Sequence, residues 1–334
     1  MGKGIVKDTD RLAVGSARTF VLKTADVIFL CGARLNWILH FGAPPRFNPN
    51  VKIIQLDNDP LEFHTNVRAE VPLVGDAKAI LGQLASSVSA PLHSEGSQWW
   101  KAIEQKCAEN QKNNEKLQAD TTIPMNYYSS IKIIEDAIQN ASKGSGDYMI
   151  VSEGSNTMDI GRTILTNDQA KQRLDAGTFG TMGVGFGFAI AAQSLYPKRK
   201  VVMVVGDSAF GFSGMEVETA ARYGLPLKIV IINNSGITRG VEEITDKTNT
   251  NIPVTALLPG SKYEMIAQAF GGKGASVNTH AELKAKMQEM LADDNLWILN
   301  VLIDKTTGRK EQEFSWLTRE DAPPKKAEEG AAKL

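Results

Sequence analysis

The sequence predicts an α/β protein made of two doubly wound parallel-sheet domains, a Rossmann-like first domain and a second, larger domain. Three observations predict it. Short apolar runs recur along the chain, among them Val27–Cys31, Val51–Leu56, Val201–Val205 and Leu227–Ile232. They are continuous rather than alternating, as in strands covered on both faces. Stretches with helical spacing lie between them, for example Met215–Tyr223. The 334 residues exceed one average domain, and Pro91, Ser94, Gly96 and Ser97 punctuate the chain as a linker.

In the first domain, residues 1 to about 90, strand Val27–Cys31 enters Gly32 and strand Val51–Leu56 ends in Asp57. A helix is expected over Asp76–Ser86. An acid at a strand end either meets a ribose hydroxyl or caps a turn, so Asp57 is a candidate nucleotide contact with both roles open. Arg34 is a candidate phosphate or adenine contact. No GxGxxG follows the first strand, which argues against NAD. Residues 91–125 form a connector, with a polar helix over Trp99–Leu117 and Trp99-Trp100 as packing anchors. Pro124 ends it.

The second domain covers residues 126–310. Asn126 caps a helix through Ile138, Gly144 and Gly146 mark a loop, and strand Tyr148–Val151 leads to Glu153-Gly154-Ser155-Asn156. Thr178–Gly187 is a glycine-rich turn entering helix Val184–Leu195. Gly183, Gly185 and Gly187 spell GxGxG, a weak signal by itself; close helix packing is the reading favoured for Gly185 and Gly187. Strand Val201–Val205 breaks at Gly206-Asp207-Ser208. Helix Met215–Tyr223 stops at Gly224 and Pro226. Strand Leu227–Ile232 ends in Asn233-Asn234. There follow a variable loop at Ile237–Thr255, helix Ser261–Phe270, a strand near Ser276, helix Ala281–Leu291 and strand Trp297–Ile303. Residues 311–334 are a tail, rich in Pro, Lys, Glu and Ala from Asp321 and expected to be disordered.

Composition narrows the function classes. A net charge of −1 offers no footprint for nucleic acid. Cys31 and Cys107 have neither metal nor redox spacing, which fits a reducing compartment. No apolar run is long enough to span a membrane, and residues 1–20 lack a secretory h-region. His40, His64, His93 and His280 show no metal-binding spacing and read as surface or satisfied structural residues.

The chemistry concentrates between Val201 and Gly236. An acid, Asp207, and an amide, Asn234, leave neighbouring strand ends, where open α/β sheets bind ligands. With a backbone carbonyl just beyond, they offer the hard oxygens that suit Mg²⁺, which also favours ligand phosphates. Small Ser208 and Ala209 let a diphosphate approach backbone N–H groups.

Gly206-Asp207-Ser208, residues 209–232 and then Asn233-Asn234 resemble the thiamine-diphosphate motif GD(G/S)…NN. GDSAFGFSGMEVETAARYGLP at Gly206–Pro226 is similar to the 2-hydroxyacyl-CoA lyase and oxalyl-CoA decarboxylase family in particular. So are SEGSNTMDIGR at Ser152–Arg162, RLDAGTFGTMGVGFGFAIAA at Arg173–Ala192 and GARLNWILHFG at Gly32–Gly42. The resemblance implies a central, nucleotide-binding-like domain followed by a diphosphate-binding domain, with thiamine diphosphate and Mg²⁺ as cofactors. Carried over, Asp207, the Asn234 side chain and the Gly236 backbone oxygen ligate Mg²⁺. Ser208 and Ala209 line the diphosphate. Gly180 offers its carbonyl to the aminopyrimidine, and Met182 wedges beneath the cofactor; a core methionine filling a gap is the other reading of Met182. Asn156 lies near substrate or diphosphate.

The implied reaction is cleavage of a 2-hydroxyacyl-CoA to formyl-CoA and a fatty aldehyde. Oxalyl-CoA decarboxylation is the alternative, or a catalytically silent thiamine-diphosphate-binding chain. The implied partners are an acyl-CoA substrate and either further copies of the chain or a pyrimidine-binding domain. Two departures stand out. Thr238 occupies a position where the family commonly has tyrosine. The family's pyrimidine-binding domain, with its catalytic glutamate, lies outside these residues, and none of Glu62, Glu70 or Glu153 falls in a matching motif. Ala332-Lys333-Leu334 resembles the Ser-Lys-Leu peroxisomal address, with a cytoplasmic location otherwise expected.

Overall fold

The computed structural model describes residues 2–89, 96–142, 147–241, 243–244 and 252–308. Several expectations lie outside them: Pro91, Ser94 and His93 of the linker, Gly144 and Gly146, part of the Ile237–Thr255 loop, and the tail with Asp321 and Ala332-Lys333-Leu334.

The first unit opens with α1 (Arg18–Thr24) and holds strands β1 (Val27–Cys31), β2 (Lys52–Asp57) and β3 (Ala69–Val74), followed by α2 (Ala77–Ser87). The strands form a parallel sheet in the order β1-β2-β3. Strand β3 escapes the hydrophobic pattern because Glu70 and Pro72 interrupt it; both are exposed. Asp76 caps α2 by accepting from the Ala79 N–H at 3.0 Å. The connecting helix α3 (Gln98–Gln118) is anchored at its start as expected, with Trp99 Nε1 donating to Thr24 Oγ1 at 3.0 Å and the Arg11 guanidinium over the Trp100 ring.

In the second unit α4 (Tyr127–Ser142) begins after Asn126, whose Oδ1 accepts from the Ser129 N–H at 2.8 Å. Then come β4 (Tyr148–Glu153), α5 (Ser155–Ile164), β5 (Arg173–Asp175), α6 (Gly185–Leu195), β6 (Lys200–Gly206), α7 (Asp207–Ser213) and α8 (Glu216–Arg222). The chain continues through β7 (Lys228–Asn233), α9 (Glu264–Ala269), β8 (Lys273–Val277), α10 (His280–Ala292) and β9 (Trp297–Leu302). All six strands are parallel, in the order β5-β4-β6-β7-β9-β8. The winding reverses between β4 and β6, and that reversal opens a crevice at the strands' carboxyl ends.

The continuous apolar runs have a direct cause. Val202, Val204, Val230 and Ile232 face α4 and α10, while Val201, Met203, Val205, Ile229 and Ile231 face α6, α7 and α8. Each of those strand residues is fully buried, worth about 1.5–3 kcal/mol apiece in apolar burial. Two expectations need correction. The Met215–Tyr223 helix is preceded by a separate helix, α7, which starts at Asp207 itself, so the strand end leads straight into a helix rather than a turn. The Ser261–Phe270 helix is confined to Glu264–Ala269. Among the described residues, no helix is long and apolar enough to cross a membrane.

At the opposite, amino end of the sheet, Lys228 opens β7 and is 2% exposed. Its Nζ donates to the Asn295 carbonyl. Burial pulls its pKa from 10.5 to about 8, against the opposing pull of Asp293. Between those pH values the unfolded lysine keeps a proton that the folded one has released, so stability rises with pH. Relative to Lys228→Met, the wild type is therefore expected to gain stability as pH rises from about 8 to 10.5. Paired thermal melts across that window would show it, and a constant difference would count against it.

Candidate functional site

The crevice holds a small hollow built from three chain segments. The β4–α5 turn gives Gly154, Ser155, Asn156 and Thr157; the β6–α7 junction gives Gly206, Asp207, Ser208 and Ala209; the segment after β7 gives Gly236 and Ile237. Met182 and Tyr127 complete the lining. Two helices thus begin at one hollow, where the N–H groups of their first turns have no partner within the helix itself. Their close approach needs glycine. Gly154 has φ +92°, and a Cβ there would lie 3.0 Å from the Gly206 nitrogen.

Asp207 is 1% exposed. Its Oδ1 accepts from the Ser208 N–H at 2.8 Å and its Oδ2 from the Gly236 N–H at 3.1 Å. Burial nevertheless dominates and pushes its pKa up to about 7. Asn233 and Asn234 divide their work. The Asn233 side chain is spent on structure, donating to Asn300 Oδ1 at 3.1 Å and accepting from the Ser235 N–H at 3.0 Å. Asn234 Nδ2 donates to the Thr238 carbonyl at 3.1 Å, but its buried Oδ1 has no hydrogen-bond partner among the described residues. A buried amide oxygen left open, next along the chain from a buried carboxylate's partner strand, is what a bound cation would satisfy. Among the described residues no cluster of three or more His, Cys, Asp or Glu side chains could hold a metal. A hard-oxygen set of one carboxylate, one amide and backbone carbonyls is therefore the donor chemistry on offer, and it fits Mg²⁺ with a diphosphate.

The predicted residues fall into two groups. Asp207, Ser208, Ala209, Gly236, Met182 and Asn156 line the hollow; Asn234 is buried outside that lining, joined to it through the Thr238 carbonyl. Asn156 also donates to the Thr238 carbonyl, at 3.2 Å, so Thr238 enters the site through its backbone. Met182 lines the hollow and also packs against the core cluster that includes α6. Gly180 lies outside the hollow's lining. It has φ +62°, and its Cα faces the Trp37 ring, where a Cβ would sit at 3.5 Å. The other group stays in the first unit. Arg34 pairs with Glu62 at 3.3 Å beside a separate hollow that includes Asn36, Gln55 and Asn66. Asp57 Oδ1 accepts from the Asp59 N–H at 3.1 Å, which is the turn-capping role.

Sequence reasoning missed two groups here. Tyr127, buried at the start of α4, shares the hollow's lining with Asn156 and Thr157, and burial together with the nearby Asp207 raises its pKa. Glu153 turns away from the hollow to the backbone of residues 183–185. Among the histidines, His280 Nε2 lies 3.1 Å from Ser129 Oγ, and His64 Nδ1 accepts from the Ala69 N–H at 3.2 Å. His40 departs from expectation: it is partly buried and its Nε2 has no partner among the described residues.

Comparison with known proteins agrees with this geometry. Residues 153–301 match the family described as thiamine pyrophosphate enzyme, C-terminal TPP binding domain, and residues 1–84 match its central domain. The chain is 46% identical to 2-hydroxyacyl-CoA lyase 1 of Mus musculus over 333 residues, covering 96% of this chain and 56% of that protein. It is 40% identical to 2-hydroxyacyl-CoA lyase of Arabidopsis thaliana, covering 92% of this chain and 54% of that protein. It is also 40% identical to oxalyl-CoA decarboxylase of Escherichia coli (strain K12), covering 92% and 53%. The chain spans about half the length of the curated relatives it matches. With both domains matched in order and these relatives alongside, the chain belongs to the thiamine pyrophosphate enzyme family, in its group of 2-hydroxyacyl-CoA lyases and oxalyl-CoA decarboxylases.

Proposed function

We propose that this chain supplies the diphosphate- and Mg²⁺-binding half of a carbon–carbon lyase that cleaves a 2-hydroxyacyl-CoA to formyl-CoA and an aldehyde. The single observation that carries the reading is the open Oδ1 of Asn234 on the strand next to buried Asp207, at the crevice where α5 and α7 begin. When bound, thiamine diphosphate supplies an electron sink for breaking a bond beside a carbonyl. The chain's own residues bind and orient. Asp207, Asn234 and the Gly236 carbonyl hold the metal, and the N–H groups after Gly154 and Gly206 receive the diphosphate. Tyr127 and Asn156 close one wall, and the apolar packing around Met182 keeps water from the other. Asp207 is the only acidic side chain on the hollow's wall among the described residues, and the metal claims it. We assign the carboxylic acid that would protonate the cofactor to the family's pyrimidine-binding domain.

Two outcomes test this. Asp207→Ala removes the one anionic ligand and should weaken Mg²⁺-dependent thiamine diphosphate binding by about 100-fold or more. Titration calorimetry of wild type and variant decides it, and equal affinities would sink the assignment. Formyl-CoA release from a 2-hydroxyacyl-CoA, with oxalyl-CoA run in parallel, should be slight for this chain alone. It should rise by about 10²–10⁴-fold when the pyrimidine-binding domain of a full-length relative is added, the usual worth of a general acid. Full turnover without that addition would place the acid within this chain.

We also propose that Ala332-Lys333-Leu334, at a free C-terminus, addresses the protein to peroxisomes. A fluorescent protein fused upstream should give a punctate signal that becomes diffuse on deleting Leu334. A diffuse signal in both would reject the address.

A further inference from the structure

We infer that Glu153 is a positioning residue that sets the Gly180–Gly185 segment, and with it Met182, against the hollow. The inference rests on the thiamine diphosphate reading above and assigns this glutamate a job within it.

Glu153 is the last residue of β4 and is 1% exposed. Its carboxylate accepts from three consecutive backbone amides, those of Gly183, Val184 (3.1 Å) and Gly185 (2.8 Å). These N–H groups open α6 and would otherwise have no partner within the helix. Among the described residues no cation contributes to the balance: burial raises the carboxyl's pKa, and the three amides oppose that rise without cancelling it. The buried charge is thus held by amide dipoles and the start of a helix. That leaves no tolerance for the segment to move, because every lost amide bond strands part of a buried carboxylate.

The surrounding contacts exist to permit this clamp. A Cβ on Gly185 would sit 2.4 Å from Glu153 Oε2, and one on Gly183 would sit 2.8 Å from the Phe212 Cβ of α7. The glycines at 183 and 185 are therefore required by the carboxylate and by α7, whereas Gly187 faces open space. Met182 immediately precedes the clamped triplet and lines the hollow. At the far end of the segment, Trp37 Nε1 donates to the Thr178 carbonyl at 2.8 Å. The turn is pinned at both ends, and Phe179, between the pins, is 92% exposed. Pre-setting Met182 removes an ordering cost that ligand binding would otherwise bear.

The test uses Glu153→Gln, which keeps the side chain's shape but turns one acceptor into a donor facing an N–H. Two affinities are measured by calorimetry with Mg²⁺ present, for thiamine diphosphate and for inorganic pyrophosphate. Hydrogen exchange of the 183–185 amides is followed without any ligand. We expect exchange at those amides to accelerate while β4, β6 and β7 stay protected. Thiamine diphosphate affinity should fall about tenfold or more, with pyrophosphate affinity held within about twofold, since pyrophosphate needs only the Asp207–Asn234 end. Unchanged thiamine diphosphate affinity in a folded variant overturns the inference. So does an equal loss for both ligands, which would mark Glu153 as a purely structural residue. Glu153→Asp, withdrawn by one methylene, is read by the same criteria should the glutamine variant fail to fold. If the wild type itself does not bind thiamine diphosphate with Mg²⁺, the cofactor reading fails and takes this inference with it, an outcome distinct from a variant-specific null.

Discussion

A carboxylate survives inside a protein only when something replaces its water. At the carboxyl edge of the six-stranded sheet this has to be solved twice, on neighbouring strands. Glu153 at the end of β4 is met by three backbone amides at the start of α6, although burial still holds its pKa above the ordinary carboxylate value. Asp207 at the end of β6 has amides from Ser208 and Gly236, and they leave it so poorly compensated that burial lifts its pKa to about 7. The first carboxylate organises backbone. The second remains poorly compensated, and two residues before its Gly236 partner the buried amide oxygen of Asn234 has no hydrogen-bond partner among the described residues. Most of the local architecture follows from that contrast, including the two helix starts and the glycines that let them approach.

The sequence made the strands of this edge legible because both faces of the sheet are buried, so each strand is a continuous apolar run bounded by Gly, Asp or Asn. Val27–Cys31 is reproduced to the residue, and Trp297–Ile303 to within one. Elements without that signature were invisible. Strand β3 carries Glu70 and Pro72, β5 is three residues long, and α5 begins with the polar run Ser155-Asn156-Thr157. Helix α7 carries no such signature either: it is seven residues long with Gly211 inside it, and Phe210 packs between Phe186 and Tyr263.

The same physics explains which site residues could be found. Asp207, Ser208, Ala209, Asn234 and Gly236 sit at the ends of adjacent strands, so their proximity follows from a local βαβ pattern. Tyr127 and Glu153 act through partners about thirty residues away that no periodicity connects to them. Arg34 and Asp57 had equally good local credentials, yet their side chains are engaged with Glu62 and Asp59 within the first unit. Residue type at a strand end nominates a candidate; only the tertiary neighbourhood decides between a contact and a cap.

The 2.4 Å that would separate a Gly185 Cβ from Glu153 Oε2 couples the two positions sterically. The two positions, more than thirty residues apart in the chain, are locked into one substitution unit. Any side chain at 185 demands a shorter acid at 153, and a shorter acid loosens three amides at once. Either change made alone is therefore expected to cost this contact, and the two costs are not additive.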